Sequence, residues 1–484
     1  MKIKLGSGAL TIAEIANYTN GVIYGRENVI IEYICTDSRE ADENTLFVAF
    51  VGEKVDGHDY IASAYKLGCR CFLAEKRVDV PGDAGVIIVP DSTQALLDMS
   101  SEYKSRVNCR RIGITGSVGK TTTKEFIASV VSQYGATHKT LGNYNSTIGM
   151  PLTLMETPQN TQVSVIEMAM SGLEEIGAMS RAACPDIAVI TNIGSSHMEA
   201  LGSRENIRKA KLEIIEGLSS DGYLIINSDD EMLTSVAYDV KNIVRIGINN
   251  VCADYLAQNI KIEQDGTLFD IKCSGKVIEN IKIPIVGKHN VYAALIAAAI
   301  SDIMGMDECE LKRGLTSFVS VSYRQNIISI GDLTVIEDCY NASPESMRAA
   351  INVLSELGRA EARKLALLGD MRELGESSEE LHREVGRYAC SKGIDVLFTI
   401  GGLAHNIAAG AIECGMSDKS IYISEDENEY EYTARQIMRI SQPGDILLVK
   451  ASRAIRAERV VECLRNLYDT ESIKNNDNIK GGDC

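Results

Sequence analysis

Short apolar runs alternate with segments of helical spacing along most of this 484-residue chain. That rhythm predicts an α/β protein with mostly parallel sheets. In a first block, residues 1–106, TLFVAFVG and CRCFLAEK read as strands, and YIASAYKLG and STQALLDMSSEYK as helices. The polar stretch SEYKSRVNCRR then sets a domain boundary near residue 106. A second block, 107–315, carries VSVIE (163–167) and DIAVITNIG (186–194) as buried strands, RENIRKAKLEIIEGL as a helix and YLIINSDD as a further strand. Within it, TLFDIKCSGKVIENIKIPIVG looks antiparallel. The run Val291–Ile300 stops at Ser301 and Asp302 and reads as a buried helix, too short to cross a bilayer. The third block, 316–470, repeats the strand–helix rhythm from LTVIEDCYN to AERVVECLRNL, which predicts a small doubly wound, Rossmann-like domain. The tail 471–484 is polar and expected to be disordered.

Length alone suggests about three domains. A hydrophobic content of 45% suits a globular chain, and the N-terminus lacks the apolar core and cleavage site of a secretory signal. The net charge of −18 argues against a nucleic-acid or anionic-membrane surface, so an anionic substrate needs local positive groups. Thirteen cysteines are scattered without a C-x-x-C pair. Buried thiols in a reducing, cytoplasmic setting are therefore favoured over a disulfide frame or a zinc site.

The segment Gly113–Thr123, GITGSVGKTTT, follows an apolar run and leads into the helical KEFIASVVSQY. A glycine-rich turn between strand and helix suits phosphate. Backbone N–H groups of Gly116, Ser117, Val118 and Gly119 are expected to cradle its oxygens, and the helix N-terminus adds its positive dipole end. Lys120 would reach the outer phosphates and Thr121 would offer a hydroxyl to Mg²⁺. The spacing departs from G-x-x-x-x-G-K-[ST], with Ile114 in place of the first glycine. VSVIE ends in Glu167, where a carboxylate near a P-loop can meet the metal directly or through water. His197 lies in a loop after the next strand, at a sheet edge where ligands sit. On pattern alone Lys209 and Lys211 read as solvated helix charges, and Asn143 and Asn145 as a turn.

Taken in order, TGSVGKTTTKE, TLGNYNSTIGMPLTL, IEMAMSGLEEI, ITNIGSSHMEALGSRENIRKAKLEI, GKHNVYAA, EDCYNASPESMRAAI, LLGDMRELGESSEELH and LLVKASR resemble the Mur ligases of peptidoglycan synthesis, and TDSREADENTLFVAFVGEKVDGHDYIASA completes the series. The likeness runs to about residue 465. It is strongest to the branch that joins D-alanyl-D-alanine to UDP-N-acetylmuramoyl-tripeptide.

The resemblance implies a first domain holding the UDP substrate, a central one holding ATP, and a third that closes with the incoming dipeptide. A substrate carboxylate is phosphorylated by ATP, and the dipeptide amine attacks the acyl phosphate. ATP would lie on Thr115, Gly116, Ser117, Val118, Gly119, Lys120, Thr121 and Thr122, with Asn290 near the adenine and Arg324 reaching the phosphates. Asp338, Tyr340 and Asn341 would line the interdomain cleft. Thr121, Glu167 and His197 would bind Mg²⁺, joined by Lys211 as a CO₂-derived carbamate. Lys120, Glu167, His197, Lys211 and Arg324 make up the implied catalytic set. Ser38, Arg39, Asp56 and His58, with Asn143 and Asn145, would bind the UDP-muramoyl chain. The implied protein is a monomeric, cytoplasmic enzyme with no nucleic-acid partner and no membrane insertion.

Three positions depart from the family pattern. Tyr323 replaces a glycine before the arginine, Ala293 an asparagine after the HN pair, and Ala451 a glycine in the late VKGSR-like turn. They leave open a paralogous ligase acting on another carboxylate and amine. A nucleotide-binding module without ligase activity and a phosphotransferase to a hydroxyl also stay open on the residues alone.

Overall fold

The computed structural model describes residues 1–52, 54–321, 323–357, 362–426 and 428–480. The described residues form three main sheets that follow one another along the chain. The first has six strands in the order Lys2–Lys4, Tyr33–Cys35, Thr45–Val48, Cys71–Ala74, Gly85–Ile88 and Val22–Gly25. Its four inner strands run parallel and its two edges antiparallel.

Nine strands make the central sheet. The P-loop strand Arg110–Thr115 lies between Val163–Glu167 and Ile187–Ile190, parallel to both. Strand order reverses there: the chain leaves through the helix Lys120–Val131 and returns on one side, then the other. Such a switch point opens a crevice at the C-terminal strand ends. It lines up the P-loop, Glu167 and Thr191. On the far side, Tyr255–Glu263, Gly266–Cys273 and Lys276–Ile283 form an antiparallel extension, as TLFDIKCSGKVIENIKIPIVG predicts. The predicted buried helix is also found, as Lys288–Ile303, packed against the P-loop helix.

The third sheet runs in the order Asn326–Ile330, Leu333–Glu337, Ile446–Lys450, Lys364–Gly369, Val396–Ile400 and Ile421–Ser424, parallel except at its first edge. Helices cover both faces, with apolar clusters around Ile351 and Leu397 on one and Leu447 and Val461 on the other.

Two expectations need correction. The last helix, Glu458–Lys480, extends through most of the segment expected to be disordered, while 481–484 lie outside the described residues. The amphipathic VVECLRNL starts that helix, and no Gly or Pro interrupts it before Gly481. Nor are the thiols uniformly buried. The described cysteines are all free, but Cys184, Cys252, Cys309 and Cys414 are exposed.

Candidate active site

A cavity of about 420 Å³ opens between the central and third sheets. The central sheet contributes the P-loop from Ser117 to Thr123, together with Asn145, Glu167 and His197. The third sheet and the chain leading to it contribute Arg324, Asp338, Tyr340, Asn341 and Lys450. Cationic groups therefore reach one space from both sides, in a molecule whose net charge is −18.

The helix Lys120–Val131 begins directly after Gly119, whose φ of +84° is left-handed, and a Cβ there would meet open space. Gly119 therefore brings bare backbone to the cavity. Gly116 serves a different purpose: at φ +144° it packs against Thr191, which a Cβ would displace. Two of the four N–H groups expected to cradle phosphate are already engaged. Ser117 N–H donates to the Asn192 carbonyl at 3.0 Å, and Val118 N–H to Asn192 Oδ1 at 3.0 Å. Thr191 Oγ1 and Asn192 Nδ2 donate in turn to the Val118 carbonyl. The loop is thus braced by the next strand, and phosphate is left with Gly119 and the helix N-terminus. Thr115 is fully buried at its strand end, so the cavity wall starts at Ser117 and continues through Thr123.

Lys120 Nζ donates to the carbonyls of Gly116 and Ser117 at 2.7 and 3.2 Å. Its enclosure lowers its pKa, and the Glu167 carboxylate opposes that shift. Glu167 is buried and held from three directions. Thr121 Oγ1 donates to it at 3.0 Å, Asn145 Nδ2 at 2.8 Å, and Lys124 Nζ lies 3.6 Å away. Its backbone N–H donates to Thr140 Oγ1. Asn145 thus sits against Glu167 in the cavity, whereas Asn143 is exposed on the loop before it.

Lys211 overturns the reading of its pattern as a solvated charge. It is 0% exposed, and Nζ has no hydrogen-bond partner. Burial drives its pKa well below the usual lysine range, helped by the Lys120 charge and opposed by Glu175 and Glu213. An ammonium without partners is costly in such a place; the neutral amine is favoured.

His197 sits at φ +66°, and its Nδ1 meets Glu373 of the third sheet region at 2.7 Å. Arg324 lies over the Tyr340 ring at 4.2 Å from its centroid, with its Nε buried and unpartnered. Asp338 and the Asn341 carbonyl both receive Lys450 Nζ, at 2.6 and 3.0 Å. Asn290 turns its amide to the Val286 carbonyl and to Gln325 Oε1.

Of the residues expected to hold the UDP chain, Asn145 lines this cavity, whereas Ser38, Arg39, Asp56, His58 and Asn143 do not. Ser38 and Arg39 follow the strand Tyr33–Cys35, with the Arg39 side chain 86% exposed and paired to Asp37. His58 is engaged from within the first sheet region. Its side chain is buried, Nε2 accepts from Glu75 N–H at 2.9 Å, and Nδ1 faces Asp56 at 2.5 Å. With both nitrogens engaged, His58 fixes the Asp56 loop from within. Asp56 remains at the surface, with Lys76 beside it at 2.6 Å.

Three Mur ligase domain models match the chain in sequence: the family's catalytic domain over 30–104, its middle domain over 114–301, and its glutamate ligase domain over 323–453. A UDP-N-acetylmuramoyl-tripeptide–D-alanyl-D-alanine ligase of Bacillus subtilis is 38% identical over 94% of this chain and 98% of its own length. This chain belongs to the Mur ligase family. Among solved structures, MurF from Acinetobacter baumannii matches at a TM-score of 0.86, with 27% identity over 95% of this chain and 99% of that one. MurF ligase from Thermotoga maritima, in complex with ADP, matches at 0.81, with 27% identity over 90% and 98%.

For a Mur ligase, the three departures have local explanations. Tyr323, standing where glycine is usual, has φ +61°, and Gln325 on the other side of Arg324 has φ +52°. The backbone keeps the left-handed shape without glycine. Ala451 faces Gly369, where a Cβ would lie 2.6 Å from that of Ala451. Ala293 simply lines the cavity beside Tyr292 and Ile296.

Sequence reasoning missed Asn192, Lys124, Gln325 and Glu345. A signal existed for Asn192, the Thr-Asn pair closing an apolar strand. The others act across distant segments, which no local pattern reveals.

Proposed function

We propose that this Mur ligase adds D-alanyl-D-alanine to UDP-N-acetylmuramoyl-tripeptide in an ATP-dependent, cytoplasmic step of peptidoglycan precursor synthesis, acting as a monomer. The observation that carries the reading is the shared cavity: Lys120 and Thr121 come from one sheet region, Arg324 and Asp338 from another, and only their docking completes the nucleotide site. We assign UDP-substrate binding to residues 1–106, ATP binding to 107–315 and closure to 316–470. No described helix is long and apolar enough to cross a membrane.

The donor set fits Mg²⁺. Among the described residues no three His, Cys, Asp or Glu side chains converge as a metal cage. Instead a hydroxyl and a carboxylate, Thr121 and Glu167, lie 3.0 Å apart beside a P-loop. Mg²⁺ is commonly held in this way, by one or two protein oxygens together with substrate phosphates and water. Once bound, the ion neutralises charge on the transferring phosphoryl group. Lys211, buried with its Nζ unpartnered, would take up CO₂ as a carbamate and, with His197, would join Thr121 and Glu167 as a ligand of Mg²⁺.

The chain's own groups then account for the reaction. The tripeptide carboxylate oxygen bonds to the γ-phosphorus and the bond to ADP breaks, giving an acyl phosphate. The dipeptide amine bonds to the acyl carbon, inorganic phosphate leaves, and the amine gives up a proton. Lys120 and Arg324 stabilise the charge that develops in both steps, in a closed site that excludes water.

The deciding experiment measures phosphate release by the purified chain with ATP, Mg²⁺, UDP-N-acetylmuramoyl-tripeptide and D-alanyl-D-alanine. Release is expected only with all of them present; release that ignores omission of either acceptor contradicts the reading. Lys211→Ala should abolish turnover, with partial rescue by short carboxylic acids. A fully active variant removes the carbamate.

A further inference from the structure

The third sheet region touches the loop after Ile187–Ile190 at a second point besides His197. Glu345 lies in the first turn of the helix Pro344–Leu357. Its Oε1 accepts from Ser195 N–H at 2.9 Å and from Ser195 Oγ at 2.8 Å, across 150 residues of chain. The seat is fitted to a carboxylate: a Cβ on the neighbouring Gly194 would lie 2.8 Å from Glu345 Cδ. Gly194 N–H in turn donates to Ser117 Oγ of the P-loop at 2.9 Å. Two residues on, His197 meets Glu373, and the Glu373 carbonyl accepts from Glu199 N–H at 3.1 Å.

We propose that Glu345 is a positioning residue that sets the Gly194–His197 loop, and through it the P-loop, when the third sheet region docks. This deepens the ligase reading and rests on it for its kinetic consequences. Pro344 presets the first helical turn, and the helix dipole favours an acid at that place, so the carboxylate arrives already oriented. A carboxylate kept for stability alone would satisfy both oxygens. Here Oε2 is buried at the cavity edge without a partner. That unmet demand is a cost carried by the docked arrangement. Ser195 offers two donors to one oxygen, and the backbone donor cannot rotate away. Closing the third region therefore holds the metal-side loop at Ser195 and at His197 together.

The test uses the full chain and two readouts. Hydrogen exchange at the Ser195 amide is followed with and without Mg²⁺ and the non-hydrolysable analogue AMP-PCP. Glu345→Ala is expected to speed that exchange about tenfold, the scale of one lost hydrogen bond. Glu345→Gln, whose amide oxygen can accept both bonds, should stay near the wild type. In turnover, Glu345→Ala and Ser195→Ala should each lower kcat, and the double variant should lose less than the product of the two. The proposal is overturned if Glu345→Ala leaves exchange unchanged in both conditions, or if Glu345→Gln is as impaired as Glu345→Ala. The second result would mean that negative charge matters rather than the acceptor. Should the wild type show no acceptor-dependent phosphate release, the ligase reading fails, while the exchange measurement still judges the contact.

Discussion

The two junctions of this molecule are built from different materials. Where the first sheet region meets the central one, Leu152 and Met155 of the helix Gly149–Glu156 enter the apolar cluster of Leu10, Ile12, Leu96 and Met99. Hydrogen bonds to backbone carbonyls close the seam, from Gly6 N–H to the Met155 carbonyl at 2.9 Å and from Ser7 Oγ to the Thr157 carbonyl at 2.9 Å. Gly6 packs so closely on Glu156 and Thr157 that a side chain could not fit. The junction of the central and third regions is mostly polar: Glu345 on Ser195, Glu373 on His197, and Asn290 on Gln325. Its apolar part is small, with Val286 joining the cluster of Val353. Burying apolar surface makes a contact that persists. Hydrogen bonds that water can replace make one that opens at little net cost. The first sheet region is therefore joined to the central one by the more persistent contact, and the third by the one that parts more easily.

This contrast can be broken by experiment. The largest effect is expected at the polar seam: Arg324→Ala should lower acceptor-dependent turnover by about 10²–10³, the scale of removing one charge-stabilising group. Its thermal midpoint should stay near the wild type. A large fall in that midpoint would mean that Arg324 holds the seam together rather than serving the phosphates. At the apolar seam the signs reverse. Met155→Ala should cost about 2–5 kcal/mol of unfolding free energy in a denaturant titration, while folded protein keeps its kcat. Lost turnover without lost stability would undo the distinction.

A smaller effect concerns pH. His382 is fully buried, and its Nε2 accepts from Met371 N–H at 2.9 Å, bracing the segment that carries Glu373. Burial lowers its pKa below the usual histidine value of 6.5. The unfolded chain therefore takes up a proton before the folded one does. The stability contributed by neutral His382 is complete above about pH 6.5 and declines as pH falls below it, by at most about 1.4 kcal/mol per unit. Thermal midpoints of the wild type should fall between pH 7 and 5.5 more steeply than those of His382→Gln. Parallel slopes would clear His382.

Much of this was legible in the sequence, for a physical reason. The P-loop, Glu167 and the strands that position them depend on neighbours in the chain, on strand-end placement and on the backbone freedom of Gly119. Lys211 was misread by pattern because helical spacing cannot tell which way a mixed-charge face points; only the resemblance corrected it. The engagement of both His58 ring nitrogens from within could not be read from its motif. Glu345, Gln325 and the bracing of Ser117 and Val118 by Asn192 were out of reach, since each joins segments whose meeting is decided by how whole sheets dock. Chemistry carried by one element was readable, and chemistry shared between elements was not.

The pair of left-handed residues flanking Arg324 has a mechanical corollary. Each side chain there gives up about 1–2 kcal/mol relative to a right-handed backbone, so the bend persists only where its surroundings hold it. Glycine at the same places would make a loose swivel, free to point the guanidinium in many directions. Tyr323 and Gln325 make a stiff elbow instead, with few shapes to choose from. If the third region swings in the proposed cycle, such an elbow would shorten the search over orientations and deliver the charge already aimed.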